Sequence, residues 1–272
     1  MHRRRSRLMV KGLYTAYTGM INEQRRLDVL SNNLANADTN GYKKEGTTSQ
    51  TFADELAIKI KDTSHYSMPK RLGGMSMGVH IGETYTDYAQ GNFKVTDNST
   101  DFALGGNGFF AIAFTDKRGN ASVKYTRDGA FIVNNQGYLV TKDGDFVLNM
   151  NDAMNGNVNG RIQVNPNLKI AVDEFGNIYQ NDVMVANIGF VDVQDYNYLA
   201  KYGENLYDLV EGGTIVASDA KVEQGMIEAS NVNVVSEMVD MITITRAYQA
   251  GQKIINAVDE TLDKAVNQVG AV

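Results

Sequence analysis

The chain has 272 residues, of which 43% are hydrophobic and 21% charged, a balance typical of a folded chain of about two domains. A net charge of −6 and a pI near 5.1 argue against a general nucleic-acid-binding protein. The chain contains no cysteine, which excludes disulfides and thiolate metal sites. No apolar run approaches the ~18 residues that a membrane-spanning helix requires.

The N-terminus is basic but does not look like a signal peptide. Residues 1–7 contain several arginines, yet no apolar core develops after them. We interpret the segment as a short basic tail, or as the result of an upstream start codon with Met9 as the working start. If the protein leaves the cytoplasm, we expect it to do so without a cleaved signal peptide.

A heptad pattern of apolar residues predicts an amphipathic helix over about residues 10–36. Its apolar positions, seven residues apart, are Leu13, Met20, Leu27 and Leu34. The helix is predicted to end in the turn-forming segment 36–41, which closes on a glycine.

The middle of the chain has the pattern of antiparallel β-structure. Residues 42–92 show no sustained period, but from about residue 84 to 225 short β-forming runs alternate with turns every 8–12 residues or so. Asp128–Gly129, Asn134–Gly137 and Asp143–Gly144 are examples of these turns. We expect a sandwich or a barrel.

A second heptad pattern predicts a long C-terminal helix, over about residues 232–269. Its apolar positions are Val234, Met241, Tyr248, Ile255, Leu262 and Val269. The positions four residues further on are apolar only at the two ends, and a second stripe compensates in part: Ile244, Ala247, Gly251, Ile254, Val258 and Ala265. Such a helix would be about 57 Å long, which favours a coiled coil or a helical assembly over a helix packed on one globular core.

The predicted fold class is therefore α+β, with long N- and C-terminal helices paired as a coiled coil around a central antiparallel β-rich region. We divide the chain into an N-terminal helical segment (1–45) paired with a C-terminal one (228–272), an inner β region formed by the irregular linker 46–92 together with 186–227, and an outer β-domain (93–185).

No pattern in the sequence indicates catalysis. The three histidines are scattered and have no partners at the spacing of metal ligands. The stretch Gly105–Gly108 lacks the Lys-Ser/Thr of a phosphate loop and reads as a hairpin turn. The acidic turn Asp143–Asp145 lacks the rest of a calcium loop. We predict no catalytic residue, no cofactor, no metal site, no nucleic acid partner and no small-molecule substrate.

Three regions of the chain carry motifs that together point to one family. Residues 31–43, SNNLANADTNGYK, closely resemble the N-terminal signature of flagellar rod and hook proteins. Residues 101–110, 125–129 and 137–140 look like its β-domain, and residues 224–249 resemble its C-terminal signature. The positions that carry the terminal motifs are Asn32, Asn33, Leu34, Ala35, Asn36, Gly41, Ser230, Asn231, Val232, Arg246 and Tyr248. The chain departs from the pattern at two positions. Ala103 replaces the usual aliphatic residue of the central motif, and Gly251 stands where the family usually has asparagine.

The resemblance implies a structural subunit of the axial rod of the bacterial flagellar basal body, outside the cytoplasmic membrane. Such subunits pass through the flagellar export apparatus and form helical homo-oligomers that contact other rod and hook proteins. The terminal helices would line a hollow drive shaft that transmits torque to the hook, and the two heptad patterns would be its assembly interface. Residues 203–207 look most like the distal-rod members.

Other functions stay open at this point. A proximal-rod or hook-type subunit of the same family is one alternative. A secreted wall-remodelling enzyme, suggested by the weakly matching residues 150–200, is another, and an adhesin with a coiled-coil stalk is a third.

Overall fold

The computed structural model describes residues 2–52, 55–58, 71–75, 78–203, 205–264 and 267, and the side chains of these residues except 2–11, 55–58 and 71–75. Its α-helices are α1 (His2–Ala35), α2 (Met150–Asn155) and α3 (Val234–Lys264). The chain packs into two units. We call them the helical unit (Met1–Ala35, Glu45–Asp87 and Asn233–Val272) and the β unit (Asn36–Lys44 and Tyr88–Val232).

The described part of the helical unit contains the two long helices and the strands β1 (Glu45–Thr51), β2 (Glu55–Ile58), β3 (Arg71–Met75) and β4 (Val79–Thr86). β1 pairs antiparallel with β4, with a β-bulge between Thr48 and Ser49, and β2 pairs antiparallel with β3. α1 packs against both β1 and β4. None of the described helices is long and apolar enough to cross a membrane.

The β unit consists mainly of short strands. They are β5 (Phe93–Val95), β6 (Phe102–Gly105), β7 (Phe109–Thr115), β8 (Ala121–Thr126), β9 (Ile132–Val133), β10 (Leu139–Val140), β11 (Phe146–Val147), β12 (Ala171–Val172), β13 (Asn177–Gln180), β14 (Val183–Asn187), β15 (Phe190–Val193), β16 (Leu199–Gly203), β17 (Leu206–Leu209), β18 (Ile215–Ala217), β19 (Lys221–Gln224) and β20 (Met226–Glu228). A 3-10 turn, Tyr196–Tyr198, precedes β16.

The largest sheet has nine strands. Its main path runs β16-β17-β8-β7-β11-β10-β9, and β15 joins it by pairing with both β7 and β18. A three-stranded sheet, β12-β13-β14, and the pairs β19-β6 and β20-β5 complete the unit. The named pairs are antiparallel, as the turn spacing predicted.

Strand β7 is the centre of this unit because it is apolar on both faces. Phe110 points into one hydrophobic cluster, while Phe109, Ala111 and Ala113 point into another. A continuous apolar run rather than an alternating one is the sequence signature of a strand buried on both sides. The two clusters therefore lie on opposite faces of one strand.

The predicted turns Asn134–Gly137 and Asp143–Gly144 connect β9 to β10 and β10 to β11, and Gly137 and Gly144 have the positive φ of such turns. Asp128–Gly129 makes no hairpin. A Cβ on Gly129 would lie 1.7 Å from the carbonyl oxygen of Phe102, so this glycine is required by close backbone approach.

The α+β class, with a helix at each end and a β-rich centre, is as predicted. The division of the chain differs from the predicted domains. Residues 45–87 pack with the terminal helices, and residues 186–227 pack with the rest of the β unit. The N-terminal segment also divides, because residues 36–44 belong to the β unit.

Candidate functional site

The two terminal helices pack side by side in the helical unit and run antiparallel. Asn33, near the end of α1, contacts Glu237 in the first turn of α3, and Met20 lies against Gly251. The two contacts are 14 residues apart along α3 and 13 residues apart along α1. At ~1.5 Å per residue these stretches are both about 20 Å long, so the helices stay aligned.

The side of α3 that is shielded from solvent follows a regular spacing with one additional residue, Thr245. The other buried or partly buried residues of the helix recur at alternating intervals of four and three, at Glu237, Met241, Ile244, Tyr248, Gly251, Ile255 and Val258. This is the spacing of the a and d positions of a heptad repeat. The second line of the seam thus lies three residues after Met241, Tyr248 and Ile255, at Ile244, Gly251 and Val258 of the predicted second stripe. Of the positions four residues after them, only Thr245 is shielded.

The predicted heptad positions are not equivalent. Leu13, Met20, Leu27 and Leu34 of α1 and Met241, Tyr248 and Ile255 of α3 are all partly buried. Val234 and Leu262 are exposed, and Val269 lies outside the described residues. Ile244, from the second stripe, is the most deeply buried apolar residue of α3, at 4% exposure.

One buried amide ties the helix ends together. The side chain of Asn33 donates to the carbonyl oxygen of Glu45 at 2.8 Å and accepts from the Glu45 N–H at 3.0 Å. The Asn33 amide also donates to Glu237 Oε2 at 3.2 Å. Because Glu45 is the first residue of β1, this single side chain joins α1, β1 and α3.

α3 begins with a hydrogen-bonded cap. The side-chain oxygen of Asn233 accepts from the N–H groups of Val235 and Ser236, at 3.1 and 3.2 Å. Asparagine is among the best residues for satisfying these otherwise unpaired donors. The start of the helix is therefore fixed at Val234, two residues later than predicted.

The outer face of α3 exposes an apolar stripe that the sequence analysis did not single out. It consists of Val235, Met238, Val239 and Ile242, which are 72%, 48%, 57% and 54% exposed. Spacings of three and four place these side chains on one face. We call them the outer stripe. Further along the pair, Tyr14, Tyr17 and Ile254 are also exposed.

Two further motif residues, Gly41 and Asn231, belong to the β unit and contact the segments that carry a buried charge cluster, defined as Lys43, Arg127 and Glu228. Glu228 accepts from Lys43 Nζ at 2.6 Å and from Arg127 Nη1 at 2.9 Å. Arg127 also donates to the carbonyl oxygens of Leu104 and Gly106. Unpaired buried charges are strongly destabilising, so the three groups require one another.

Gly41 and Asn231 complete this arrangement. Gly41 has a φ of +64°, and a Cβ there would lie 2.4 Å from the carbonyl carbon of Arg127. Its N–H donates to the backbone oxygen of Glu228 at 2.7 Å. Asn231 Oδ1 accepts from the N–H of Lys44 at 2.7 Å, and Asn231 Nδ2 donates to the carbonyl oxygen of Ala89 at 3.1 Å.

The other motif positions have local roles or are exposed. Asn36 accepts from the hydroxyl of Thr39, and Ser230 accepts from the N–H of Val232. Asn32, Ala35 and Arg246 are exposed on their helices.

Among the described residues, no group of three acidic or histidine side chains is placed to hold a metal ion. The candidate site is instead a surface of the helix pair on which apolar side chains face the solvent. An exposed, clustered apolar stripe marks a site for contact with another macromolecule.

Comparisons with known proteins agree with this picture. Residues 13–43 match the family model described as flagella basal body rod protein, residues 103–180 match the flagellar hook protein FlgE/F/G D1 domain, and residues 223–269 match the flagellar basal body rod FlgEFG protein C-terminal model. The three matches fall in chain order on α1, the β unit and α3.

Relatives that match over nearly their whole length are also flagellar basal-body proteins by name. The chain is 32% identical to flagellar basal-body rod protein FlgF of Caulobacter vibrioides, over 97% of this chain and 100% of the relative. It is 32% identical to the flagellar hook-basal body complex protein FlhO of Bacillus subtilis, over 97% and 100%. It is 31% identical to flagellar basal-body rod protein FlgG of Buchnera aphidicola subsp. Baizongia pistaciae, over 94% and 98%. None of these three is named for a catalytic activity. The chain belongs to the family of flagellar basal-body rod proteins.

Proposed function

We propose that this protein is a structural subunit of the axial rod of the flagellar basal body. Copies of it assemble into a hollow helical shaft that transmits torque to the hook. In this proposal it reaches the basal body through the flagellar export apparatus without a cleaved signal peptide, and it contacts other rod and hook proteins there.

The observation that carries the proposal is the outer stripe. The helix pair already buries one seam, so the four apolar side chains on the opposite face have no role in holding the pair together. Burying an apolar side chain of this size contributes about 1.5–3 kcal/mol. A head-to-tail contact between unlike surfaces repeats without closing, and it generates a helical filament.

The pairing of α1 with α3 is, in this proposal, a coiled coil. Its support is the alternation of three and four in the shielded residues of α3 other than Thr245, and the matching interval of seven in Leu13, Met20, Leu27 and Leu34. The seam residues then hold the pair, and the outer stripe joins one pair to the next.

Two classes of variant separate these roles. Leu27→Asp or Tyr248→Asp places a charge in the seam and should unfold the helix pair, which abolishes assembly. Val239→Asp places the same charge on the outer stripe, so it should leave the helix content unchanged and still block assembly. Asn256→Asp, on an exposed position of α3, is the matched control and should assemble normally.

The measurements are helix content by circular dichroism, filament formation by sedimentation and electron microscopy, and swimming of cells that carry each variant. Normal filaments and motility for Val239→Asp would exclude the outer stripe as the contact between copies. Normal motility for Leu27→Asp would exclude the helix pair itself.

Within the rod, we propose the distal segment, on the basis of residues 203–207. Relatives named FlgF and FlgG are about equally similar to the chain. Imaging of basal bodies from a strain that lacks the gene tests the position. A rod that stops after its proximal part supports the distal position, and a basal body with no rod indicates a proximal subunit.

A further inference from the structure

Glu228 is the meeting point of several separate segments of the β unit. Its Oε1 accepts from Lys43 Nζ at 2.6 Å and from the N–H of Gly91 at 2.8 Å, and its Oε2 accepts from Arg127 Nη1 at 2.9 Å. Its backbone oxygen accepts from the N–H of Gly41. The carboxylate is fully buried, and Lys43 and Arg127 are at least 97% buried.

Two of these segments are the ones that connect to the terminal helices. Lys43 and Gly41 belong to residues 36–44, which begin directly after α1 ends. Glu228 is the last residue of β20 and is followed by residues 229–232, which lead to the cap of α3. We call residues 36–44 and 229–232 the two root segments.

The root segments also bond directly to each other. The N–H of Asn231 donates to the carbonyl oxygen of Tyr42 at 3.4 Å, and the N–H of Lys44 donates to Asn231 Oδ1 at 2.7 Å. Tyr42 is buried, with Lys201 Nζ 4.3 Å from its ring centroid. Asn205 donates to the carbonyl oxygen of Asn40 from the other side. Two segments about 190 residues apart in sequence are thus held together within one folded unit.

We infer that Glu228 is a positioning residue, which fixes the two root segments on the β unit independently of the packing of α1 on α3. The consequence for assembly rests on the function proposed above. Helices that start from neighbouring points find each other without a search over the whole intervening chain, because that loop is already closed. The terminal helices can then remain unpacked in a free subunit and still pair quickly when a neighbour arrives.

The charges make the Glu228 carboxylate the centre of the buried charge cluster. With Glu228 removed, Lys43 and Arg127 would lose the one carboxylate that both contact, which is far less favourable than the paired state. With Lys43 alone removed, Glu228 keeps Arg127 and Gly91 as partners. Lys43→Met therefore releases the first root segment and leaves the rest of the cluster satisfied.

The test uses the full-length chain and hydrogen exchange measured by mass spectrometry. Lys43→Met should raise the exchange of peptides covering residues 36–44 and 229–232 tenfold or more, while the exchange of β7 stays at the wild-type level. Glu228→Gln should do the same or more. Lys94→Met, which removes an exposed lysine from β5, and Glu223→Gln, which neutralises an exposed glutamate on β19, should change neither root segment.

Unchanged exchange of residues 36–44 in Lys43→Met would overturn the inference. So would an equal rise in the control variants, or an equal rise in β7, since the cluster would then only support the core. The second readout is the rate of filament formation, which we expect to fall tenfold or more in Lys43→Met; a wild-type rate in a variant with a released root segment would also overturn it. If the wild-type protein itself forms no filaments, the proposed function fails, and the exchange measurement still decides the role of Glu228.

Discussion

Replacing the glycine in α3 by alanine tests how α3 packs on α1. Whether the helix is stabilised or destabilised depends on what lies opposite this residue. Gly251 faces α1, and a Cβ at this position would lie 2.7 Å from Met20 Cγ and 3.4 Å from its Sδ. Gly19, on α1, is the matched position, because a Cβ there would meet no atom within 4 Å. The two residues share the intrinsic cost of glycine in a helix, and they differ in what lies opposite.

At Gly19, alanine should stabilise the helix by about 0.8–1 kcal/mol, which is the difference in helix propensity between the two residues. At Gly251 the same gain is opposed by overpacking, which costs about 1–3 kcal/mol in a close-packed contact. Met20 is flexible and relieves part of the clash, so Gly251→Ala should be neutral to about 2 kcal/mol destabilising. Gly251→Leu adds three more carbon atoms and should lie at the upper end of that range.

The assay is native-state hydrogen exchange of the α3 amides in the full-length chain, which reports the local free energy of opening separately from the β unit. Met20→Ala in the Gly251→Ala background should recover the propensity gain, because it removes the opposing atoms. Equal stabilisation by Gly19→Ala and Gly251→Ala would show that Met20 does not face Gly251. The antiparallel alignment of α1 and α3 would then be wrong.

Three further changes test other parts of the structure. Ile244→Ala removes the most deeply buried apolar side chain of the seam and should cost about 2–4 kcal/mol in the opening free energy of α3. Asn33→Asp removes the amide donors and places a second carboxylate against Glu237, so it should destabilise the helix pair at neutral pH, and Glu237→Gln should restore part of the loss. In the β unit, burial and the nearby charge of Asp208 raise the pKa of Tyr125 to about 12. The stability from this phenol is present below pH 10 and is lost as the pH rises toward 12, so Tyr125→Phe should flatten the fall in unfolding free energy over that range.

The helices and the antiparallel character of the β unit could be predicted because each follows from a short-range pattern. Heptads of apolar residues specify a helix face, and turns every 8–12 residues or so specify short antiparallel strands. The predicted second stripe included three members of the second line of the α3 seam, Ile244, Gly251 and Val258, but it missed Glu237, which an apolar pattern passes over. Periodicity alone does not show that a charged residue lies in a seam.

The polar contacts could not be predicted from the sequence, for a different reason. The motif around Asn33 and Gly41 was found by resemblance, but its partners lie about 190 to 200 positions away in sequence. Only the fold brings Asn33 to Glu237 and Lys43 to Glu228. Nothing in the sequence distinguishes a lysine that will be buried from the many that remain exposed. The outer stripe was missed because its apolar residues interleave with those of the seam, and the sequence does not say which face a partner already covers.

The two terminal motifs meet within each unit, Asn33 with Glu237 in the helical unit and Lys43 with Glu228 in the β unit. Asn33 and Lys43 come from the first motif, and Glu237, Glu228 and Asn231 come from the second. Each is a polar group for which burial is unfavourable unless its partner is in place. An apolar side chain can pack against many different neighbours, whereas a buried polar group requires a specific partner. These groups therefore select one alignment of the two terminal motifs from the many that apolar packing of the helices would allow. A subunit that must repeat identically along a filament requires that selection more than it requires additional stability. Hence we expect Asn33→Leu to retain helix content and to give filaments of mixed register, which electron microscopy would detect as loss of a single helical symmetry. Filaments of wild-type symmetry from Asn33→Leu would mean that the apolar seam alone sets the alignment.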